Sequence, residues 1–309
     1  MRRFLPIACL LFVLTLAAVM VGCGGLDERQ RAWIFQPGDR SWGRSADLAQ
    51  GMDDVWISFD SRVSGERVRL HGLWLAANPA ADAVEPGPAP VLLYLHGARW
   101  NVKGSAPRMR YMQDLGFSVL AIDYRGFGKS TPELPSEERA FEDARAAWDW
   151  LAKRYPDRPR YIFGHSLGGA IAIDLAAKVH DERGVLVEGT FTSIPEVAAS
   201  MKWGWLPFGW LITQRLESIK KVASIGSPLL VVHGDDDQLI KLDLGRRLFN
   251  AAQEPKAFVV VSGGTHYNTI DRGREQYRSA LQGLFGWPRM HTPAPGEPLP
   301  TSMPAASPH

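Results

Sequence analysis

The chain has 309 residues, 45% hydrophobic and 22% charged, a balance that excludes disorder as its main state and suits one α/β core with appendages. Its formal charge of +2 rests on Arg2 and Arg3, and beyond residue 22 basic and acidic side chains balance, which argues against nucleic acid as a partner. There is no internal repeat and no metal-spaced His/Cys cluster, and Cys9 and Cys23 both lie near the N-terminus, so the folded part holds no disulfide and calls for no metal or cofactor.

Arg2-Arg3 followed by the apolar run Phe4 to Val21 has the basic start and apolar centre of a secretory signal, predicted over residues 1–22. Val19-Met20-Val21-Gly22-Cys23 resembles the lipobox of bacterial lipoproteins, which would make Cys23 the lipidated first residue of the mature protein and a lipid anchor its contact with a membrane. Met20 and Val21 depart from the usual Leu and Ala or Ser; an uncleaved anchor and ordinary signal cleavage are the alternatives. Each of the three exports the domain or tethers it to a membrane. Residues 23–51 mix glycine, charge and single aromatics without a helical or strand period and read as a loosely packed tether, pinned by Trp33, Phe35 and Trp42.

The domain proper is expected over residues 52–287. Val55–Phe59 and Val68–Leu75 alternate apolar and polar residues across a Ser64-Gly65 turn, as an antiparallel edge pair does. From Val91–Leu95 onward strands alternate with helices. Strands are predicted at 91–95, 118–122, 160–163, 185–187, 228–232 and 258–261, and helices near 106–115, from the N-cap Ser136 to Tyr155, after Ser166, near 241–252 and near 271–284. Repeated βα units specify an α/β fold with a mostly parallel sheet covered on both faces, whose functional groups sit at the carboxyl ends of the strands. Residues 288–309, rich in Pro, Ala and Ser, read as a disordered tail.

The densest signal is Tyr161-Ile162-Phe163-Gly164-His165-Ser166-Leu167-Gly168-Gly169, a strand running through G-x-S-x-G into a helix. Such a turn holds its serine proud of the sheet, with the next N–H, that of Leu167, at the positive end of a helix. Strand ends supply the partners a serine nucleophile needs, a base and an acid to orient it, in the order Ser166, Asp237, His266, with Asp235 and Asp236 as substitutes for the acid. Of the eight histidines, His71, His180, His291 and His309 lie far from the strand ends, and His96, His165 and His233 sit beside glycines where a ring braces a turn. Arg125 reads as a tie between loops.

From about residue 52 to 286 the chain resembles a compact α/β-hydrolase, close to the small membrane-associated serine hydrolases: His96-Gly97 with Asn101, Asp123 to Ser130, G-H-S-L-G-G, H-G-x-x-D and G-x-x-H-x-N stand in that family's order. The resemblance implies the α/β-hydrolase fold with a short cap insertion over 191–227, Asp237 as the acid, and the N–H groups of Ala98 and Leu167 as oxyanion donors. Ala98 stands where the family often has Asn, and Arg99 and Trp100 are further departures. The cap carries Trp203, Trp205, Phe208 and Trp210, expected as an apolar substrate-binding lid, with packing against the sheet as the alternative. The expected activity is hydrolysis of a small-molecule acyl ester or thioester; a small peptidase of the same fold and a catalytically idle envelope binding protein are the rivals.

Overall fold

The structure, a computed structural model, describes residues 24–39, 45–78, 88–201 and 209–286. The expected signal peptide, Cys23, Trp42, the cap residues Trp203, Trp205 and Phe208, and the expected tail fall outside these residues. An eight-stranded sheet forms the centre: β1 (Asp53–Asp60), β2 (Arg67–Leu75), β3 (Val91–Leu95), β4 (Ser118–Ile122), β5 (Arg160–His165), β6 (Gly184–Glu188), β7 (Leu229–Gly234) and β8 (Lys256–Val261), in the order β1-β2-β4-β3-β5-β6-β7-β8. The β1–β2 and β2–β4 pairs are antiparallel and the others parallel.

The apolar runs explain this arrangement. Every residue of β3, β4, β6 and β7 is buried, as a strand must be when helices cover both its faces. Alternate side chains divide between two cores: Val91, Leu93 and Leu95 pack on one side with α4 (Glu137–Arg154), α5 (Leu167–Ala176) and α7 (Leu242–Ala251), while Leu92 and Tyr94 pack on the other with α3 (Ala106–Asp114) and α9 (Arg274–Phe285). Ser136 caps α4 by accepting the Arg139 N–H, with Glu137 and Glu138 in the first turn. The helix expected near 271–284 is broken into α8 (Thr269–Arg272) and α9 at Gly273, where a Cβ would stand 2.6 Å from Val261.

The described part of the expected loose tether, residues 24–39 and 45–51, is folded and packed on the domain. Residues 24–35 form a helix, α1, and a second short one, α2, spans Ser45–Leu48. Phe35 is fully buried and Ile34 nearly so, both in the core that holds α4 and α5. Burying a phenylalanine stabilises by about 1.5–3 kcal/mol, enough to fix the end of a short helix. Trp33 is 61% exposed and does not act as a pin. No apolar stripe marks α1 in the sequence because its contact with the domain is polar along its length and apolar only at its last two residues.

Arg125, expected to tie loops together, ties its own loop to α4 and to the turn at Ser61. Its buried guanidinium donates to Asp143 at 2.8 Å, Glu142 at 2.6 Å and Ser61 at 3.0 Å. His71 in β2 is buried between two carboxylates, Nδ1 at 3.1 Å from Asp123 and Nε2 at 2.6 Å from Asp54. Burial pushes its pKa down, but the hydrogen bonds to Asp123 and Asp54 outweigh that and leave it raised. A raised folded-state pKa means stability that is fully present below the unfolded value of about 6.5 and is lost as pH rises through the folded value. The unfolding free energy of the wild type minus that of His71→Gln is therefore expected to be largest near pH 6 and to shrink toward pH 8; a difference flat with pH in denaturant titrations would exclude a charged His71.

Candidate active site

Ser166 lies between β5 and α5 with φ 56° and ψ −120°, a conformation L-residues avoid. The glycines around it permit this. A Cβ on Gly164 would come within 2.2 Å of the Gly168 carbonyl, and one on Gly168 within 2.0 Å of the Leu95 carbonyl, so β3, β5 and α5 close on each other only with hydrogen at both positions. The Ser166 main chain is tied on both sides: its N–H donates to the Glu188 carbonyl at 2.9 Å and its carbonyl accepts from Thr190 Oγ1 at 2.9 Å.

His266 stands in the loop after β8 with Nε2 2.9 Å from Ser166 Oγ and Nδ1 2.7 Å from Asp237 Oδ2. Asp237 Oδ1 accepts the N–H groups of Leu239 at 2.9 Å and Ile240 at 2.8 Å. Burial pushes the Asp237 pKa up, but the hydrogen bonds from His266 and the loop N–H groups leave it below the usual carboxylate value. An ionised carboxylate only accepts hydrogen bonds, so His266 carries its proton on Nδ1 and turns the Nε2 lone pair to the serine hydroxyl. All three side chains are buried. The substitutes for the acid are engaged elsewhere: Asp235 accepts the Gly263 N–H at 2.7 Å and Asp236 accepts from Gln238 at 2.9 Å.

The other glycine-flanked histidines brace turns. His96 Nδ1 is 2.7 Å from the Gly97 carbonyl, His165 Nε2 3.0 Å from the His266 carbonyl, and His233 Nε2 2.9 Å from the Ile240 carbonyl. Burial pushes the pKa of each down, which keeps the rings neutral around the site. Neither the Ala98 nor the Leu167 N–H has an acceptor among the described residues, and both residues line the cavity in front of Ser166. The arrangement can therefore remove a proton from Ser166 and offer two N–H donors to a developing oxyanion.

A charged group beneath the serine was not legible in the strand ends considered. Glu188, the last residue of β6, is fully buried; Arg108 Nη2 donates to it at 2.6 Å and the Tyr277 hydroxyl donates to its other oxygen. Its signal in the sequence is a single Glu directly after the apolar run Val185-Leu186-Val187, which by itself shows neither burial nor a partner. Among the described residues no group of three or more His, Cys, Asp or Glu side chains is placed to hold a metal ion.

The cavity in front of Ser166 measures about 240 Å³. From the cap it takes Phe191 and residues of α6 (Ile194–Ala199), Ile194 and Val197 among them; Leu239 and Tyr267 come from the loops that carry the acid and base, and Trp33, Ile34 and Gln36 from the N-terminal segment. Trp210, expected as a substrate-binding residue, is not among them. It lies on a single 3₁₀ turn, Gly209–Leu211, 76% exposed, because that turn packs beside α1, where Gln30 Nε2 donates to the Leu211 carbonyl at 2.9 Å.

Residues 86–218 match the family model described as serine aminopeptidase, S33. An uncharacterized protein of Mycobacterium tuberculosis is 38% identical over 182 residues, covering 58% of this chain and 64% of that protein. The lysophosphatidylserine lipase ABHD12 of Danio rerio is 34% identical over 188 residues, covering 54% of this chain and 48% of the lipase. The match thus spans less than two thirds of the first of these relatives and about half of the second. Among solved structures, the Pyrococcus furiosus esterase Pf2001 superposes with a TM-score of 0.62 at 21% identity, covering 81% of this chain and 99% of that one. A puromycin-hydrolyzing peptidase of Mycobacterium tuberculosis does so with a TM-score of 0.59 at 19% identity, over 77% of this chain and 40% of the peptidase. With its sheet order and its strand–serine–helix turn, the chain belongs to the α/β-hydrolase superfamily.

Proposed function

We propose that the protein is a serine hydrolase that cleaves an acyl ester through an acyl-enzyme. The observation that carries this reading is the chain Ser166 Oγ, His266 Nε2 and Nδ1, Asp237 Oδ2, joined at 2.9 and 2.7 Å and opening on an apolar-walled cavity. Ser166 Oγ attacks the carbonyl carbon while His266 Nε2 takes its proton; the N–H groups of Ala98 and Leu167 hold the oxyanion. Collapse expels the alcohol, which takes the proton back from His266. Water, deprotonated by the same nitrogen, then releases the acid and regenerates the serine. Asp237 stays ionised throughout and supports the imidazolium.

Esters fit the cavity better than peptides with a free amino terminus. An aminopeptidase needs an anion for the substrate's ammonium group, and the described residues lining the cavity include no Asp or Glu but do include Arg99 and Arg108. One relative is a lysophosphatidylserine lipase. An ester of that kind, with one apolar chain and an anionic head, suits apolar walls beside the Arg99 guanidinium, the charge of Arg108 being balanced by Glu188. A cavity of about 150 Å³ accepts benzene, so about 240 Å³ takes an acyl chain of roughly ten carbons. The proposed setting is the cell envelope, with Cys23 as the lipid anchor. Among the described residues no helix is long and apolar enough to cross a membrane.

Ser166→Ala is expected to abolish fluorophosphonate labelling and ester hydrolysis, and Asp237→Asn to lower kcat by about 10²–10⁴-fold at unchanged fold stability. Equal labelling of wild type and Ser166→Ala would remove Ser166 as the nucleophile. Across a series of acyl esters, kcat/KM should rise by several-fold per methylene, about 1 kcal/mol each, up to roughly ten carbons and then level or fall; a profile already falling after acetyl would rule out an acyl pocket. The mature protein should begin at Cys23 and require detergent for release, and sequencing of any other N-terminus would refute the anchor.

A further inference from the structure

We propose that residues 24–39 belong to the catalytic machinery, with Gln36 as a positioning residue that holds the Ala98–Asn101 loop so that the Ala98 N–H faces the reacting carbonyl. This rests on the serine-hydrolase reading and adds to it a part of the chain that lies ahead of the expected domain boundary at residue 52.

The loop is in a conformation that needs holding. Arg99 and Trp100, neither of them glycine, both have positive φ, 70° and 56°, directly after Ala98. L-residues populate that region only when neighbouring contacts over-determine it, and two in succession are rarer still. Among the described residues both hydrogen bonds of Arg99 end on the N-terminal segment: its N–H donates to the Phe35 carbonyl at 3.0 Å and its Nε to Gln36 Oε1 at 2.7 Å. Asn101 Nδ2 donates to the carbonyl of Asp39 at 3.2 Å and to its side chain at 3.1 Å.

The segment is in turn fixed to the rest of the molecule, so it can transmit a restraint. Asp27 accepts from Thr213 Oγ1 at 2.7 Å and Gln214 Nε2 at 3.0 Å, and Arg31 donates to the carbonyls of Leu134 and Pro135. Phe35 is fully buried, and Gly128 donates its N–H to the Gly38 carbonyl at 3.1 Å. Gln36 itself has φ 49°, so the brace and the loop it holds are both wound against their local preference and lock each other. The oxyanion donor thus depends on a segment far ahead of it in sequence. A chain cut off at residue 52 would keep Ser166, His266 and Asp237 and lose the brace.

The test uses the full chain and a water-soluble ester, p-nitrophenyl butyrate, with Gln36→Ala and Gln36→Glu. Gln36→Ala is expected to lower kcat about tenfold with KM within twofold, less than the 10²–10³-fold that follows outright loss of an oxyanion donor. The fluorophosphonate labelling rate should fall in parallel, since adduct formation develops the same oxyanion. Gln36→Glu keeps an acceptor at the same reach for Arg99 and should retain at least half of wild-type kcat. Unchanged kcat in Gln36→Ala, a rise in KM alone, or a fall in kcat that Gln36→Glu shares while the melting temperature drops would each overturn the proposal. A wild type that neither hydrolyses the ester nor labels at Ser166 overturns the serine-hydrolase reading itself; an active wild type with an unaffected Gln36→Ala overturns only the brace.

Discussion

The structure turns on the backbone of Ser166. Its φ of 56° is worth about 1–3 kcal/mol of strain, and the hydrogen bonds of its own N–H and carbonyl hold the serine in that conformation. The compensation is the close approach of β3, β5 and α5 through Gly164 and Gly168, which lets Leu95, Ile162 and Ile171 bury fully around the turn. Once the turn is set, the positions of the other groups follow from the sheet. Parallel strands deliver their carboxyl ends to one edge, so β7 brings Asp237 and β8 brings His266 to the same side as the serine without any contact between them in sequence.

Beneath this edge the protein keeps a charge that the proposed reaction does not use. Glu188 is fully buried, and its carboxylate is held by Arg108 and Tyr277 while its own carbonyl holds the Ser166 N–H. Removing one member of such a pair costs about 3–5 kcal/mol because the other is left buried and unpaired, whereas the intact pair adds little net stability over apolar residues. Its effect is to fix direction: a carboxylate with two strong donors cannot rotate, and the strand end that carries the serine's partner carbonyl is fixed with it. His165, which lies 3.7 Å from Glu188, spends its Nε2 proton on the His266 carbonyl and so places the main chain of the base.

How much of this the sequence disclosed depends on whether a contact leaves a periodic trace. Val91–Leu95 and Ser118–Ile122 coincide with β3 and β4 because burial on both faces demands an unbroken apolar run, and α4 begins where Ser136 and the two glutamates announce a cap. The serine, acid and base could be ordered because each ends a strand or follows one. Residues 24–35 left no such trace: Asp27, Gln30 and Arg31 bind backbone carbonyls, hydroxyls and amides, partners that have no pattern, and the apolar contact is confined to Ile34 and Phe35. Trp210 shows the converse, an apolar residue in an aromatic-rich stretch that stays exposed because the turn carrying it packs through its carbonyls.

The match to the family model begins at residue 86 and ends at residue 218, which includes the serine turn and the Ala98 loop but neither Asp237 and His266 nor the wall made by Trp33, Ile34 and Gln36. The family model therefore covers the serine turn and the Ala98 loop, and the proposed roles of Asp237 and His266 rest on their geometry beside Ser166. The walls are of a different kind: they come from the N-terminal segment, from α6 in the cap and from the loops after β7 and β8, and among the described residues α1 is bonded not to the sheet but to the turn at Leu211 and the loop at Pro135. All acyl esters present the same carbonyl to Ser166, so a preference among them has to be written in those walls. In this chain one of them, the N-terminal segment, is also bonded to the loop after Ala98. On the proposed reading, a change in that wall would be transmitted through Arg99 to the Ala98 N–H, so that selection and rate would be coupled.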